Sequence, residues 1–391
     1  MLNLILELIF WLSVLSIFHS YLFYPLIIYL LSLNKSQNQI VYSEISELPK
    51  ISIIMAVYNE EKIIKKKIES VINSNYPKQK LEFFIGSDAS IDSTDKIIEE
   101  YIKKYDFIKY KRFENRSGKI KIINNLSKNI DSEIIIFTDA NAIFDKDSIF
   151  QIIKHFKNDK IALVGGRLIN SKFSKEGISI QENSYMELEF NLKHREGILW
   201  GTIMGAFGAF YAIRKSKFNP PPDNFFVDDF YISLKAIQQE NNNSILEMKA
   251  IAYEDVSGKI NAEFKRKVRI SIGNFQNLSI FYPKLISKRK GLSFSLLSHK
   301  VLRWLSPVFI ITSFISAIIL AFYFKFYFFI AISIVLSMSL TIIDFFLRKI
   351  QIHIIALRFI SHFYYMNTAL LIGLIKYFIG AKTNVWEPTK R

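Results

Sequence analysis

The chain has 391 residues, half of them hydrophobic, with no cysteine and a formal charge of +16. The missing cysteines exclude a disulfide framework, a thiolate zinc site and a cysteine nucleophile. Apolar residues crowd the stretches before Asn34 and after Lys300, which excludes a purely soluble chain and points to membrane segments around a soluble middle. The basic balance fits a face held against anionic lipid better than nucleic acid, because lysines and arginines cluster at 284–300, just before an apolar run.

Residues 2–33 carry a single charge, Glu7, and are long enough to span a bilayer. A basic start and a small-residue cleavage site are both missing, so residues 1–34 are expected to form an uncleaved anchor. A polar linker, 35–50, follows. From Ile51 the pattern changes. "ISIIMAV", "LEFFIGS", "FIKYKRF", "EIIIFTD" and "IALVGGRL" read as strands, and 60–73, 92–105, 118–130 and 147–156 as the helices between them. Such alternation predicts an α/β fold with a mostly parallel sheet covered on both faces, here assigned to 51–260. Ligands bind such sheets at the carboxyl ends of the strands.

Residues 181–194 read as an amphipathic helix, followed by the small-residue segment "GTIMGAFGAFYAIRK". "NPPPDN" breaks the chain, and a helix opens at Asp228 and Asp229. Residues 261–300 are basic on one side and apolar on the other, the pattern of helices lying in a membrane surface. Three apolar runs close the chain at 301–323, 326–346 and 354–379. The first two read as clean spans. The third holds Arg358, His362 and Asn367, so it either faces protein or crosses obliquely. Three spans would put the tail, 381–391, on the far side from the soluble part, yet its basic residues favour the same side.

The chemistry-bearing residues stand at strand ends. "GSDASIDST" carries Asp88 off the second strand, where a carboxylate can accept hydrogen bonds from a base or a ribose. Asp92 reads as the cap of the next helix. "NRSGKIKIINN" opens a helix with a basic glycine turn, so Arg116 and Lys119 can meet phosphate, though the spacing is not that of a P-loop. Asp139 and Asn141 leave the fourth strand two residues apart. Extended backbone would point both oxygens the same way, towards a hard cation; an Asx-turn is the plainer reading. In "FFVDDF" one acid can cap the helix, and the second is then free to act as a general base.

Taken in order, these motifs resemble the membrane-bound family 2 glycosyltransferases with a GT-A catalytic fold. The resemblance runs from "YPLIIYL" to "WEPTKR". It implies that Asp88 holds the uracil and ribose of a nucleotide sugar, with Ala56 and Glu60 bordering that pocket. It implies that Asp139 binds the diphosphate through Mg²⁺ or Mn²⁺, with Asn141 in the place of the second acid of the usual Asp-x-Asp, and that Lys119 or Arg269 assists. Asp229, beside Asp228, becomes the catalytic base, and Gly205, Ala206, Phe207 and Gly208 line the acceptor site. "RKVRI" stands where relatives carry a Gln-x-x-Arg-Trp motif, with Ile270 in place of the tryptophan.

The resemblance therefore implies a metal-dependent, inverting hexosyltransferase at a bacterial inner membrane, its catalytic domain cytoplasmic. It would move a sugar from a UDP-linked donor to a glycan or a lipid-linked acceptor in cell-surface polysaccharide synthesis. Two rivals remain: a single-transfer polyprenyl-phosphate or glycolipid enzyme, and an inactive scaffold of an export complex. A transporter would carry its polar residues within the spans rather than at strand ends.

Overall fold

The alternation that begins at Ile51 is present in the computed structural model, which describes residues 1–43, 48–170, 179–238, 241–255 and 260–380. The tail motif "WEPTKR" lies outside the described residues. The chain divides into two units, one of Leu31–Phe173 and Glu187–Ser257, the other of Met1–Leu30, Ser174–Met186 and Gly258–Ala381.

The chain starts with α1 (Leu2–Phe18), a π-turn at His19–Phe23 and α2 (Tyr24–Ser32). Pro25 explains the π-turn. It cannot donate to the carbonyl one turn back and its ring crowds that carbonyl, so the helix widens there rather than stopping.

The first unit is built on one eight-stranded sheet. Its strands are β1 (Ile51–Val57), β2 (Leu81–Asp88), β3 (Ile108–Phe113), β4 (Ile134–Thr138), β5 (Ile143–Phe144), β6 (Ile161–Asn170), β7 (Phe210–Arg214) and β8 (Asn243–Glu254). They lie in the order β3-β2-β1-β4-β7-β6-β8-β5. β1, β2, β3 and β4 pair in parallel. β4 is wholly buried, and β1 is buried except at Ala56, as a strand covered on both faces must be. β7 runs antiparallel to β4 and β6, β6 and β8 are parallel, and β5 is antiparallel to β8. The sheet is therefore mixed. β7 lies within the segment read only as small-residue-rich, and β8 in a stretch with no strand assignment.

The helices α3 (Ile64–Ile72), α4 (Thr94–Ile102), α5 (Lys119–Ser127), α6 (Ser148–Ile153), α7 (Ser179–Trp200) and α8 (Asp228–Ala236) follow the expected order. α3 starts late because 60–63 form a turn, in which the Glu60 carbonyl accepts from the Ile63 and Ile64 amides. Residues 35–43 and 48–50, expected as a linker, have no helix or strand but are docked on this unit. Gln37 donates to the Leu246 carbonyl, the Tyr42 amide to the Lys154 carbonyl, and Leu48 is buried.

The second unit continues with α9 (Ile260–Phe281), α10 (Lys290–Ser295), α11 (Leu302–Trp304), α12 (Ser306–Ala321), α13 (Lys325–Lys349) and α14 (Ile355–Ile379). Leu2–Ser32 and Lys325–Lys349 are long and apolar enough to cross a membrane. The run expected as a clean span at 301–323 is instead broken, with Lys290–Trp304 and Ser306–Ala321 meeting at a 62° bend. Pro307 sits in the first turn of α12, where it ends one helix and starts the next. Phe10 of α1, Ala317 and Leu320 of α12, and Tyr327 of α13 form a packed cluster. Ser13 hydrogen-bonds Thr312 at 2.8 Å and Trp11 donates to Tyr327. Small residues and hydroxyls are the usual contacts between helices in lipid. On α14, Arg358 and Asn367 are buried, and Asn367 accepts from Ser306, so its polar residues face protein.

Candidate functional site

Asp88, at the end of β2, is 3% exposed. Its Oδ1 accepts from the Ser117 and Gly118 amides at 2.5 and 3.3 Å. Its Oδ2 accepts from the Gly118 amide and from Arg116 Nε, both at 3.1 Å. Gly118 is the residue before α5 and has φ +85°, a conformation that glycine adopts without a Cβ clash. A carboxylate offers about four lone-pair directions, and three donors of the chain meet it here, the Gly118 amide shared between both oxygens. Asp88 thus fixes the loop that starts α5. The Arg116 guanidinium lies 3.3 Å over the Tyr58 ring, so the loop presents a stacked cation and ring beside the carboxylate. Glu60 is tied to α4 through its amide, which donates to Thr94 Oγ1. Ala56 is the one half-buried residue of β1.

The next residue after Gly118 links this corner to β4. Lys119 Nζ lies 2.7 Å from Asp139 Oδ1. Burial pulls the Lys119 ammonium down, but Asp139, Asp228 and Asp229 together hold it above the ordinary lysine range. It stays charged at neutral pH.

The backbone does not run on extended past Asp139. The Ala142 amide donates to the Asp139 carbonyl, closing a turn, so the expectation that residues 139 and 141 point the same way is corrected. Asn141 Nδ2 instead donates to Glu254 Oε1 at 2.5 Å, at the end of β8. A carboxylate only accepts, so the amide nitrogen must face it and the Asn141 carbonyl oxygen is turned elsewhere.

These are hard oxygen donors suited to Mg²⁺ or Mn²⁺. Among the described residues no group of three or more acids or histidines is arranged to hold an ion by itself. The donor set fits a cation that takes most of its ligands from substrate phosphates and water.

Asp228 and Asp229 occupy the first turn of α8, and Val227 is the residue preceding the helix. Neither acid is the cap. Asp229 Oδ1 accepts from the Phe230 amide at 2.7 Å, while Asp228 Oδ2 is buried with no hydrogen-bond partner. Burial raises the Asp229 carboxyl and Asp228 raises it further. Lys119, Lys193 and the Phe230 amide pull it back, leaving it at about 6. Burial and Asp228, Asp229 and Asp139 likewise push up the Tyr211 phenol, so the three acids act on one place.

The acceptor-site residues of the sequence reading lie against this helix. A Cβ on Gly208 would sit 2.8 Å from Asp229 Oδ2, so only glycine lets the carboxylate lie there. Gly205 has φ +80° and abuts Phe230. The Ala206 amide donates to Ser233 Oγ, which donates to the Asp229 carbonyl. The Phe207 ring packs tilted against Phe190, centroids 4.3 Å apart, under Lys193 Nζ at 3.7 Å.

Lys119, Asp139, Asp228 and Asp229 are thus joined by an ion pair or by charge within the sheet unit; Asp88 holds the Gly118 amide next to Lys119, and Asn141 is tied to Glu254. Arg269 lies on α9 of the helical unit. Sequence reasoning missed Glu254, Lys193 and Lys67. Lys67 falls between Ile64, Ile68 and Val71 on the buried stripe of α3, a helical spacing that marks it as inward-facing. Its place in the run Lys65-Lys66-Lys67 hid it.

A sequence model described as glycosyl transferase family 2 matches residues 52–219. The chain is similar to a poly-beta-1,6-N-acetyl-D-glucosamine synthase of Staphylococcus epidermidis, 27% identical over 78% of this chain and 76% of that one. A Staphylococcus aureus protein of the same name is 32% identical over 47% and 43%. Among solved structures, a mannosyltransferase from Pyrobaculum calidifontis in complex with GDP-Man and Mn²⁺ superposes with a TM-score of 0.71, at 17% identity, over 95% of this chain and 99% of that one. That likeness is one of fold.

Proposed function

Residues 52–219 of this chain form a glycosyl transferase family 2 domain on a GT-A fold, and from that premise we propose an inverting, metal-dependent transfer of a sugar from a UDP-linked donor to a glycan or lipid-linked acceptor at a bacterial plasma membrane. The observation that carries this reading is the half-buried Asp229 carboxyl at about 6, acting on the same place as the Lys119–Asp139 pair. A base with that affinity for protons is mostly ionised at neutral pH and still accepts one readily.

Asp229 takes the proton of the acceptor hydroxyl. The acceptor oxygen bonds to the anomeric carbon as the bond to the donor diphosphate breaks on the opposite face, inverting the configuration. Lys119 supplies fixed positive charge for the leaving diphosphate, the kind of preorganised stabilisation that usually contributes most. Asp139 and Asn141 would hold Mg²⁺ or Mn²⁺, which when bound neutralises that diphosphate. Asp88 shapes the base site through Arg116 and Tyr58, with Ala56 and Glu60 beside it. Gly205 to Gly208 leave room for the acceptor against Asp229.

Release of UDP or GDP by the purified full chain, screened over a panel of nucleotide sugars with Mn²⁺ and Mg²⁺, tests the proposal. It predicts release with a UDP-sugar. Silence across the whole panel, with folded protein and acceptor present, would sink it. Ile270 supports a second reading, addition of one sugar only, because the resembling processive enzymes carry tryptophan there. A gel separates the two: a ladder means a polymer and a single shift means one transfer.

A further inference from the structure

Lys67 is completely buried, which is rare for a lysine and demands a reason. Its Nζ donates to Thr138 Oγ1 at 2.8 Å and to the Ala142 carbonyl. On its third side it lies 3.3 Å from the centre of the Phe144 ring. The Thr138 hydroxyl donates its own proton to the Ala209 carbonyl, so it can only accept from Lys67. A hydroxyl oxygen, a carbonyl and a ring face are three acceptors for three N–H bonds. Burial pushes the Lys67 ammonium well down and the Asp139 charge pulls it back up, but three acceptors are the complement of an ammonium, since a neutral amine would turn its lone pair towards one of them. Among the described residues no carboxylate pairs with it directly.

The two chain atoms it grips flank Asp139 and Asn141. We propose that Lys67 is a positioning residue, a buried cation that clamps the Asp139 turn and sets the charge of the diphosphate site, favouring the anionic nucleotide over a bare metal ion. This rests on the sugar-transfer reading above. The charges around the turn make the case. Lys67, Lys119 and Lys193 are positive, Asp139, Asp228, Asp229 and Glu254 negative, and Asn141 neutral, so one net negative charge is left, and Lys67 is one of the three cations that keep it so low. A divalent ion arriving alone meets only that residual negative charge. A diphosphate meets a fixed cation beneath the turn and another beside it.

The test uses the full chain in nanodiscs, as wild type, Lys67→Met and Lys67→Gln. UDP binding is measured calorimetrically in EDTA, with GDP in parallel, and Mn²⁺ binding without nucleotide by electron paramagnetic resonance. The proposal predicts opposite movements. UDP binds at least tenfold more weakly in both variants, and Mn²⁺ alone binds severalfold more tightly. Loss of a merely structural tether weakens both together, and that result overturns the proposal, as does no change in either. Should Lys67→Met fail to melt cooperatively, Lys67→Gln keeps a hydrogen-bonding side chain and carries the comparison. Wild type that binds neither nucleotide, in EDTA or with Mn²⁺ added, counts against the sugar-transfer reading, and the manganese arm still decides the role of the charge.

Discussion

The loop after β2 and the first turn of α8 both present aspartates, and they treat them in opposite ways. Asp88 is met by two backbone amides and a guanidinium. Asp229 receives its own neighbour's amide, and Asp228 keeps one buried oxygen without a partner. A carboxylate held by several donors of its own chain anchors structure. One that is buried with few donors and a like charge beside it holds its proton longer and remains available for chemistry. Asp139 stands between them, with one oxygen on Lys119 and a side chain 37% exposed.

This contrast can be broken by substitution. Asp139→Ala has the largest effect of the intermediate case. It removes the anion that pairs Lys119 and would hold the metal, so turnover in the nucleotide-release assay falls by about 10²–10³. Near-normal turnover would remove Asp139 from the site.

Asp88→Asn is a change of stability first. The amide keeps the shape but offers fewer acceptor directions to Ser117, Gly118 and Arg116. The expected cost is about 1–3 kcal/mol, read as a lower melting temperature in a thermal scan. An unchanged melting point would mean that these donors are satisfied by water instead.

The smallest effect sharpens the other side. As pH falls through about 6, a proton occupies Asp229, and turnover drops roughly tenfold per unit below that. Asp228→Asn removes the neighbouring negative charge, so the Asp229 carboxyl falls and the acid limb of the pH–rate profile moves to lower pH. A limb that stays in place would show that Asp228 does not act on the base.

Much of the site was legible because its residue types interrupt apolar runs. Ile134 to Phe137 are buried, and the polar residues that follow had to lie at a strand end. The parallel half of the sheet was legible for the same reason. β7 was not, because Phe210–Arg214 is embedded in glycine and alanine and pairs with strands distant in sequence. β8 mixes Glu247 and Lys249 into its run, which weakens its alternation. The turn at Asp139 also escaped reading. Residue types announced oxygen ligands, but the pull of Glu254 on Asn141 comes from a residue more than a hundred positions away. In the helical unit, length and apolarity identified the 326–346 run, while Pro307 turned the other expected span into a bent pair.

Asp229→Asn tests the central assignment most directly, measured on the purified full chain as nucleotide binding, melting temperature and sugar transfer together. The account predicts turnover lower by about 10²–10⁴, nucleotide affinity within about twofold of wild type, and a melting temperature at neutral pH no lower than wild type, because the raised carboxyl means that the ionised form costs the fold stability. An Asp229→Asn protein that transfers sugar at the wild-type rate would contradict it.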